Sequence, residues 1–173
     1  MGAAEQMLKA VSNCGEFTHV ESYCKIGGVG WTFTNYSFNK MVQTKDCEGS
    51  YTHDYGIYAY HELKLESDEH ARFVQWNQQQ VANQCRYNYF DLAYQVIPGA
   101  FLFVSDLTTA QAQQPKKLFC SQAVILGLRH ALRNDDKVAV RLSKLNTRLC
   151  CPTKLACSLK AILGDPVLAK ACH

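Results

Sequence analysis

An α+β domain is the fold class that the sequence predicts. Segments with strand-like alternation occupy the first half of the chain, and segments with helical spacing of apolar residues occupy the second half. Strands that precede helices, instead of alternating with them, are typical of α+β domains. The length of 173 residues fits one domain. Hydrophobic residues at 47% and charged residues at 19% exclude a disordered chain and a coiled coil.

Four segments of the first half are predicted to be strands. Phe17–Tyr23 is rich in strand-forming residues, and Gly27–Gly30 marks a turn after it. Trp31–Phe38 alternates aromatic and polar residues, which indicates a strand with one buried face. The segments Met41–Thr44 and Ile57–Leu65 complete the set.

Three helices are predicted in the second half. Ser67 is placed to cap the first, which has acidic residues in its first turn and apolar positions further along. The second helix extends from about Leu118 to Leu132. The third begins near Cys151-Pro152, since proline suits the first helical position, and ends at Gly164. Its apolar stripe has the spacing i, i+4, i+7, i+8: Leu155, Leu159, Ile162 and Leu163.

Two shorter segments lie between these helices. The segment Tyr87–Leu92 is aromatic, and its local spacing favours neither a strand nor a helix. The segment Phe101–Val104 is predicted to be a short strand or an extended stretch.

Charge and cysteine content limit the classes of function. The 18 basic and 15 acidic residues give a net charge of +3, which is too weak to indicate nucleic-acid binding. No apolar run approaches the ~18 residues of a membrane span, and the N-terminus does not resemble a secretory signal. The nine cysteines are therefore expected to be reduced. The predicted location is the cytoplasm, with a host cytoplasm or a virion as alternatives.

Cys120 is the strongest candidate for a reactive side chain. It lies at the start of the predicted second helix, with Lys116 and Lys117 just before it. A helix N-terminus and nearby cations stabilise a thiolate, so the pKa of this thiol is expected to lie well below ~8.5. The small residues Ala123, Gly127 and Ala131 predict that a strand packs closely against this face of the helix. The alternative is a buried cysteine with a purely structural role.

His19 is the candidate base for this thiol, because a thiolate nucleophile usually needs a histidine beside it. Alternation along the predicted strand places Glu21 on the same face as His19. The alternative is a histidine that only satisfies its own hydrogen bonds.

A metal site is the competing interpretation of the cysteines. Five residues near the C-terminus could supply ligands, but they contain no Cys-x-x-Cys pair: Cys150, Cys151, Cys157, Cys172 and His173.

The order of these motifs resembles the circularly permuted papain-like superfamily, the permuted branch of the NlpC-type hydrolases. Phe17–Glu21 is similar to its histidine strand, and Leu118–Gln122 is similar to its cysteine helix about a hundred residues later. Tyr87–Leu92 resembles the aromatic segment before that helix. Cys150–Leu155 resembles a helix start in the members from large DNA viruses. Gln122 departs from the pattern, because glutamate is frequent at that position.

The resemblance implies one permuted papain-like domain over residues 1–173, with the motifs in about 15–165. An antiparallel sheet or small barrel would pack on the cysteine helix. Cys120 would be the nucleophile and His19 the base, and no metal or organic cofactor would be needed. Glu21 is the first choice for the residue that orients His19, and Thr34, Asn35 and Gln43 are alternatives.

The implied reaction is acyl transfer through a thioacyl intermediate, with a peptide, an amide or an acyl lipid as substrate. An inactive member with a structural or host-interaction role and a cysteine-rich interaction protein are the two alternatives.

Overall fold

The structure, a computed structural model, describes residues 19–35, 40–45, 57–95, 97 and 99–170. It contains both β-strands and α-helices. Within these residues the strands are β1 (Ser22–Ile26), β2 (Val29–Asn35), β3 (Met41–Lys45), β4 (Ile57–Tyr60), β5 (Arg86–Tyr87), β6 (Lys117–Leu118) and β7 (Val167–Lys170). The α-helices are α1 (Ser67–Ala82), α2 (Tyr89–Tyr94), α3 (Thr109–Gln113), α4 (Cys120–Ala131), α5 (Lys137–Ser143) and α6 (Pro152–Leu163). Two 3₁₀ turns are present, Ala100–Leu102 and Thr147–Leu149.

The main sheet is antiparallel, with the strand order β1-β2-β3. Strands β1 and β2 are joined at Gly27 and Gly28, whose φ angles of 58° and 82° lie in the left-handed region that glycine tolerates. The register pairs Ser22 with Phe33, and it pairs Asn35 with Met41 on the other side of β2. Two small pairs complete the strands described here: β4 with β7, antiparallel, and β5 with β6, parallel. The predicted α+β class is thus observed.

Helix α4 packs against both the main sheet and helix α1. Near its start, Ala123 joins a buried cluster with Phe33 and Met41 of the sheet. Further along, Gly127 faces α1, and a Cβ atom added there would lie 3.2 Å from Cε2 of Phe73 and 3.3 Å from Cε3 of Trp76. The prediction that a strand packs along the whole small-residue face is therefore wrong at Gly127, where the close neighbour is a helix.

The predicted third helix is observed with its expected boundaries. Cys151 is the N-cap of α6, Pro152 is its first residue, and Gly164 ends it with a φ of 84°. Its Leu155 is buried in the main core with residues of α4 and α5.

Several predicted boundaries differ from the observed ones. The first described strand begins at Ser22, so the Phe17–Tyr23 prediction is wrong at residues 19–21, and Phe17 and Thr18 lie outside the described residues. Strand β4 ends at Tyr60 instead of Leu65, and α1 is capped by Glu66 instead of Ser67. Helix α4 begins at Cys120 instead of about Leu118, because Leu118 pairs with Tyr87 of β5 as a strand and Phe119 is the N-cap.

The segment Phe101–Val104 was predicted to be extended, and that prediction is wrong. It follows Gly99, whose φ of 77° turns the chain into a 3₁₀ turn. Ala100 and Val104 are buried at either end of it, and the amide N–H of Val104 donates to the carbonyl of Ala100 at 2.9 Å. Short-range hydrogen bonds thus replace the partner strand that an extended segment would need.

Within the residues that the structure describes, no helix is both long enough and apolar enough to cross a lipid bilayer.

Candidate functional site

Cys120 is the first residue of helix α4, as the sequence predicted to within two residues, and its side chain is buried. It forms a buried cluster with Tyr87 and Phe119, and Val20 packs against that cluster. The Val20 backbone, the Tyr87 hydroxyl and the Ser121 amide are placed so that hydrogen bonding to the sulfur favours the charged thiolate. The Ser121 N–H belongs to the first turn of α4, where amides have no partner within the helix.

Burial nevertheless raises the pKa of the Cys120 thiol to about 11. The free energy lost when a thiolate is removed from water exceeds the free energy gained from these hydrogen bonds, although each of them favours the charged form. The predicted pKa below ~8.5 is thus not what this conformation shows. The two lysines are not among the groups with the largest effects on the thiol, and the amine of Lys117 lies 5.6 Å from the ring centre of Phe90 instead.

His19 is the residue immediately before Val20, which packs against the buried cluster of Tyr87, Phe119 and Cys120. Its Nε2 atom is 2.8 Å from Oγ1 of Thr34 and 3.9 Å from Oε2 of Glu21. If Nε2 carries the proton, it donates to the threonine, and Nδ1 is then the basic nitrogen. The His19 side chain is 30% exposed, whereas that of Glu21 is 19% exposed.

Thr34 is thus the hydrogen-bond partner of the imidazole, and Glu21 lies at ion-pair distance from the same nitrogen. Glu21 was the first choice from the sequence and Thr34 one of the alternatives. The pairing of Ser22 with Phe33 explains the geometry, because the next residues outward on the two strands are Glu21 and Thr34. This register is a tertiary property that strand alternation alone does not give.

Strand β2 also positions the start of the cysteine helix. Asn35, which is fully buried, donates from Nδ2 to the carbonyl of Leu118 at 2.7 Å. The adjacent Thr34 contacts His19, so neighbouring residues of one strand hold both halves of the candidate site.

A network of buried polar side chains forms hydrogen bonds at the N-terminus of helix α4. Oε1 of Gln122 accepts a hydrogen bond from the Phe119 amide at 3.0 Å, and its Nε2 donates to Oδ2 of Asp91 at 2.7 Å. Asn88 and Arg148 also donate to the Asp91 carboxylate, at 2.8 and 2.9 Å. Gln122 and Asp91 are buried, so this network fixes the position of the helix N-terminus.

Sequence analysis missed Tyr87 as a member of the site. The only signal was its place in the aromatic segment before the cysteine helix. The pairing of β5 with β6 explains its position, since Tyr87 lies opposite Leu118, two residues before Cys120.

The remaining cysteines and histidines do not form a metal site in the described part of the chain. There, no three of the histidine, cysteine, aspartate and glutamate side chains are arranged to hold a metal ion, and Cys172 and His173 lie outside it. Burial raises the pKa of Cys24 to about 11 and of Cys85 and Cys150 to about 12, and it lowers the pKa of His61.

Comparisons of the chain with protein-family models, with curated proteins and with solved structures found no match.

Proposed function

We propose that the chain is a thiol-dependent hydrolase or acyltransferase with the permuted papain-like arrangement, in which Cys120 is the nucleophile and His19 is the base. One observation carries the proposal. Val20, the residue after His19, packs against the buried cluster that contains Cys120, which brings the histidine segment to the N-terminus of the cysteine helix across 100 residues of sequence.

In the first step, Nδ1 of His19 accepts the thiol proton while the Cys120 sulfur attacks the carbonyl carbon of an amide, ester or thioester. The imidazolium then keeps its second proton on Nε2, where Thr34 accepts the hydrogen bond. Glu21 at 3.9 Å stabilises the positive charge. The carbonyl oxygen becomes an oxyanion, for which the Cys120 amide and the Tyr87 hydroxyl are nearby donors.

In the second step, the imidazolium donates its proton to the departing amine, alcohol or thiol, and the acyl group stays on the sulfur. Water or an acceptor molecule, deprotonated by His19, then attacks the thioester and releases the acyl group. Every proton is returned, so the cycle needs neither a metal nor an organic cofactor.

The raised thiol pKa makes this a general-base mechanism. With a pKa of about 11, little thiolate exists at neutral pH, so the proton must leave during the attack. The residues that cover the thiol must also move before a substrate or reagent can reach it, since Cys120 is only 2% exposed.

The raised pKa and the burial of the Cys120 thiol also favour one alternative function, an inactive papain-like fold with a structural or interaction role. In that case the buried Cys120 only packs against Phe119 and Tyr87 in the small cluster that they form.

Alkylation by iodoacetamide, followed at each cysteine by peptide mass spectrometry between pH 5.5 and 10.5, separates the two. An enzyme would label Cys120 with a rate that rises where imidazoles titrate, about pH 6–7, and then levels off. The exposed Cys157 of the same molecule is the internal reference. In the variant His19→Ala the Cys120 rate would lose its plateau and increase only toward pH 11.

Thr34→Val is the matched variant for the orienting residue. It removes the hydrogen bond to Nε2 but nearly preserves side-chain volume, so it is expected to slow Cys120 labelling at pH 7 without changing Cys157. Incubation with p-nitrophenyl acetate should leave an acetyl group on Cys120, which Cys120→Ser abolishes. Labelling of Cys120 that follows a pKa near 11 equally in the native protein and in His19→Ala would reject the enzyme and leave the inactive fold.

A further inference from the structure

The 3₁₀ turn and the residue after it form an exposed apolar projection, here called the aromatic turn (residues 100–103). Phe101, Leu102 and Phe103 are 74%, 78% and 65% exposed. Single exposed apolar residues are common on protein surfaces, whereas three large ones in succession mark an interaction site.

The base of the aromatic turn is fixed while its tip projects. Ala100 and Val104 are buried on either side of it. The carbonyl of Val104 accepts a hydrogen bond from Nδ2 of Asn146 at 2.6 Å, which ties the segment to the turn that packs on α2. The exposed side chains are therefore held outside the fold by a structured anchor.

Phe101 and Leu102 lie in the 3₁₀ turn, where successive side chains point in directions about 120° apart, and Phe103 lies just beyond the turn with a φ of −132°. A groove on another protein would cover one or two of these three exposed side chains. The apolar side of a lipid interface surrounds an inserted tip and covers all three. The shape of the aromatic turn thus fits a membrane better than a protein groove.

Four cations lie together on and beside strands β5 and β6, here called the basic cluster. One of them, Lys117, contacts α2, on which the turn that anchors the aromatic turn also packs. Arg86 pairs with Lys117 across β5 and β6, its amide bonds to the carbonyl of Lys116 at 3.1 Å, and Lys40 forms a bridge with it from the other side. All four residues are exposed. The amine of Lys117 lies over the ring of Phe90, which is itself 72% exposed, so charge and aromatic surface are adjacent.

The chain between the two parts adds no unpaired negative charge. Residues 86–117 contain two acids, Asp91 and Asp106, and each forms an ion pair with an arginine at 2.9 or 3.0 Å. Lipid phosphates and carboxylates are the anions that such a cationic and aromatic surface complements.

We propose that the aromatic turn and the basic cluster together bind the surface of a membrane that contains anionic lipids, with Phe101, Leu102 and Phe103 inserted at the headgroup boundary. This interaction is peripheral, and it does not depend on the chemistry proposed for Cys120.

Flotation with vesicles tests the proposal. The 173-residue chain should float with vesicles of phosphatidylcholine containing 30% phosphatidylserine, and at least tenfold less protein should float with phosphatidylcholine alone. The triple variant Phe101→Ser, Leu102→Ser, Phe103→Ser and the charge variant Lys116→Gln, Lys117→Gln should each weaken binding about tenfold or more.

Matched controls are available elsewhere on the surface. Val140→Ser removes an exposed apolar side chain from α5, and Lys64→Gln, Lys144→Gln removes two exposed charges. Both should float like the native protein, and so should Cys120→Ser, which keeps this test separate from that of catalysis. Thermal unfolding of each variant checks that it is folded.

Equal flotation of the triple variant and the native protein would overturn the proposal. Equal flotation of the native protein with and without phosphatidylserine in the vesicles would also overturn it. Binding to heparin or RNA without binding to vesicles would also reject it and assign the basic cluster to a soluble polyanion. Capture of a protein by the aromatic turn, with no flotation, would reject it in favour of a protein partner.

Discussion

Gln122 joins the N-terminus of the cysteine helix to Asp91, so its replacement measures how firmly that helix is held. Its side chain is fully buried and makes two hydrogen bonds, one from the Phe119 amide and one to the Asp91 carboxylate. The variant Gln122→Ala removes both and leaves their partners inside the protein.

The expected cost follows from these two contacts. A buried amide N–H left without an acceptor costs about 1–3 kcal/mol, and loss of a hydrogen bond to a carboxylate costs about 1.5–3 kcal/mol. We therefore expect Gln122→Ala to lower the free energy of unfolding by about 3–5 kcal/mol. That is a large part of the ~5–15 kcal/mol that stabilises an ordinary domain.

Urea unfolding followed by circular dichroism measures this difference. The matched control is Gln78→Ala, which changes an exposed glutamine of α1 to the same residue and should alter stability by less than ~0.5 kcal/mol. If Gln122→Ala lowers the free energy of unfolding by less than ~1 kcal/mol, and the slope of that free energy against urea concentration is unchanged, the assigned role of the network is refuted.

Gln122→Glu gives the same test a dependence on pH. The new carboxylate would lie beside Asp91, whose Oδ2 is 2.7 Å from the present amide nitrogen. Like charges at that distance raise the folded-state pKa of the pair above its unfolded value, so the folded protein binds the extra proton. The variant should therefore approach the native stability at low pH and lose stability as the pH rises through that pKa. A pH-independent difference would contradict this.

Three further predictions concern the rest of the fold. Gly127→Ala gains about 1 kcal/mol of helix propensity but forces its Cβ to 3.2 Å from Phe73, so thermal unfolding should show a net loss of about 1 kcal/mol. Hydrogen bonds from Thr147 and Arg129 hold the pKa of Asp106 below its usual 3.8, although burial alone would raise it. Its contribution to stability is complete above pH 3.8 and is lost as the pH falls through the folded-state pKa, so Asp106→Asn should show a weaker dependence of unfolding on acid. A thiol titration in denaturant should find nine free thiols, and a count near one would show four disulfides instead.

The sequence determined the features that depend on neighbours along the chain. Gly27 and Gly28 predicted the hairpin turn, because only glycine adopts their left-handed backbone easily. Pro152 and Gly164 predicted both ends of α6, since a first-turn proline and a terminal glycine act within one helical turn. The position of Cys120 near a helix start was also predictable, because it depends on residues close to it along the chain.

Tertiary structure decided what depends on residues far apart in sequence. Thr34 became the partner of His19 because the strand register sets it opposite Glu21, and strand alternation does not specify register. The thiol pKa was decided in the same way. The sequence shows only the helix N-terminus that favours the thiolate of Cys120. The burial that disfavours it arises when the segments of Val20 and Tyr87 pack over the sulfur, and desolvation is the larger effect.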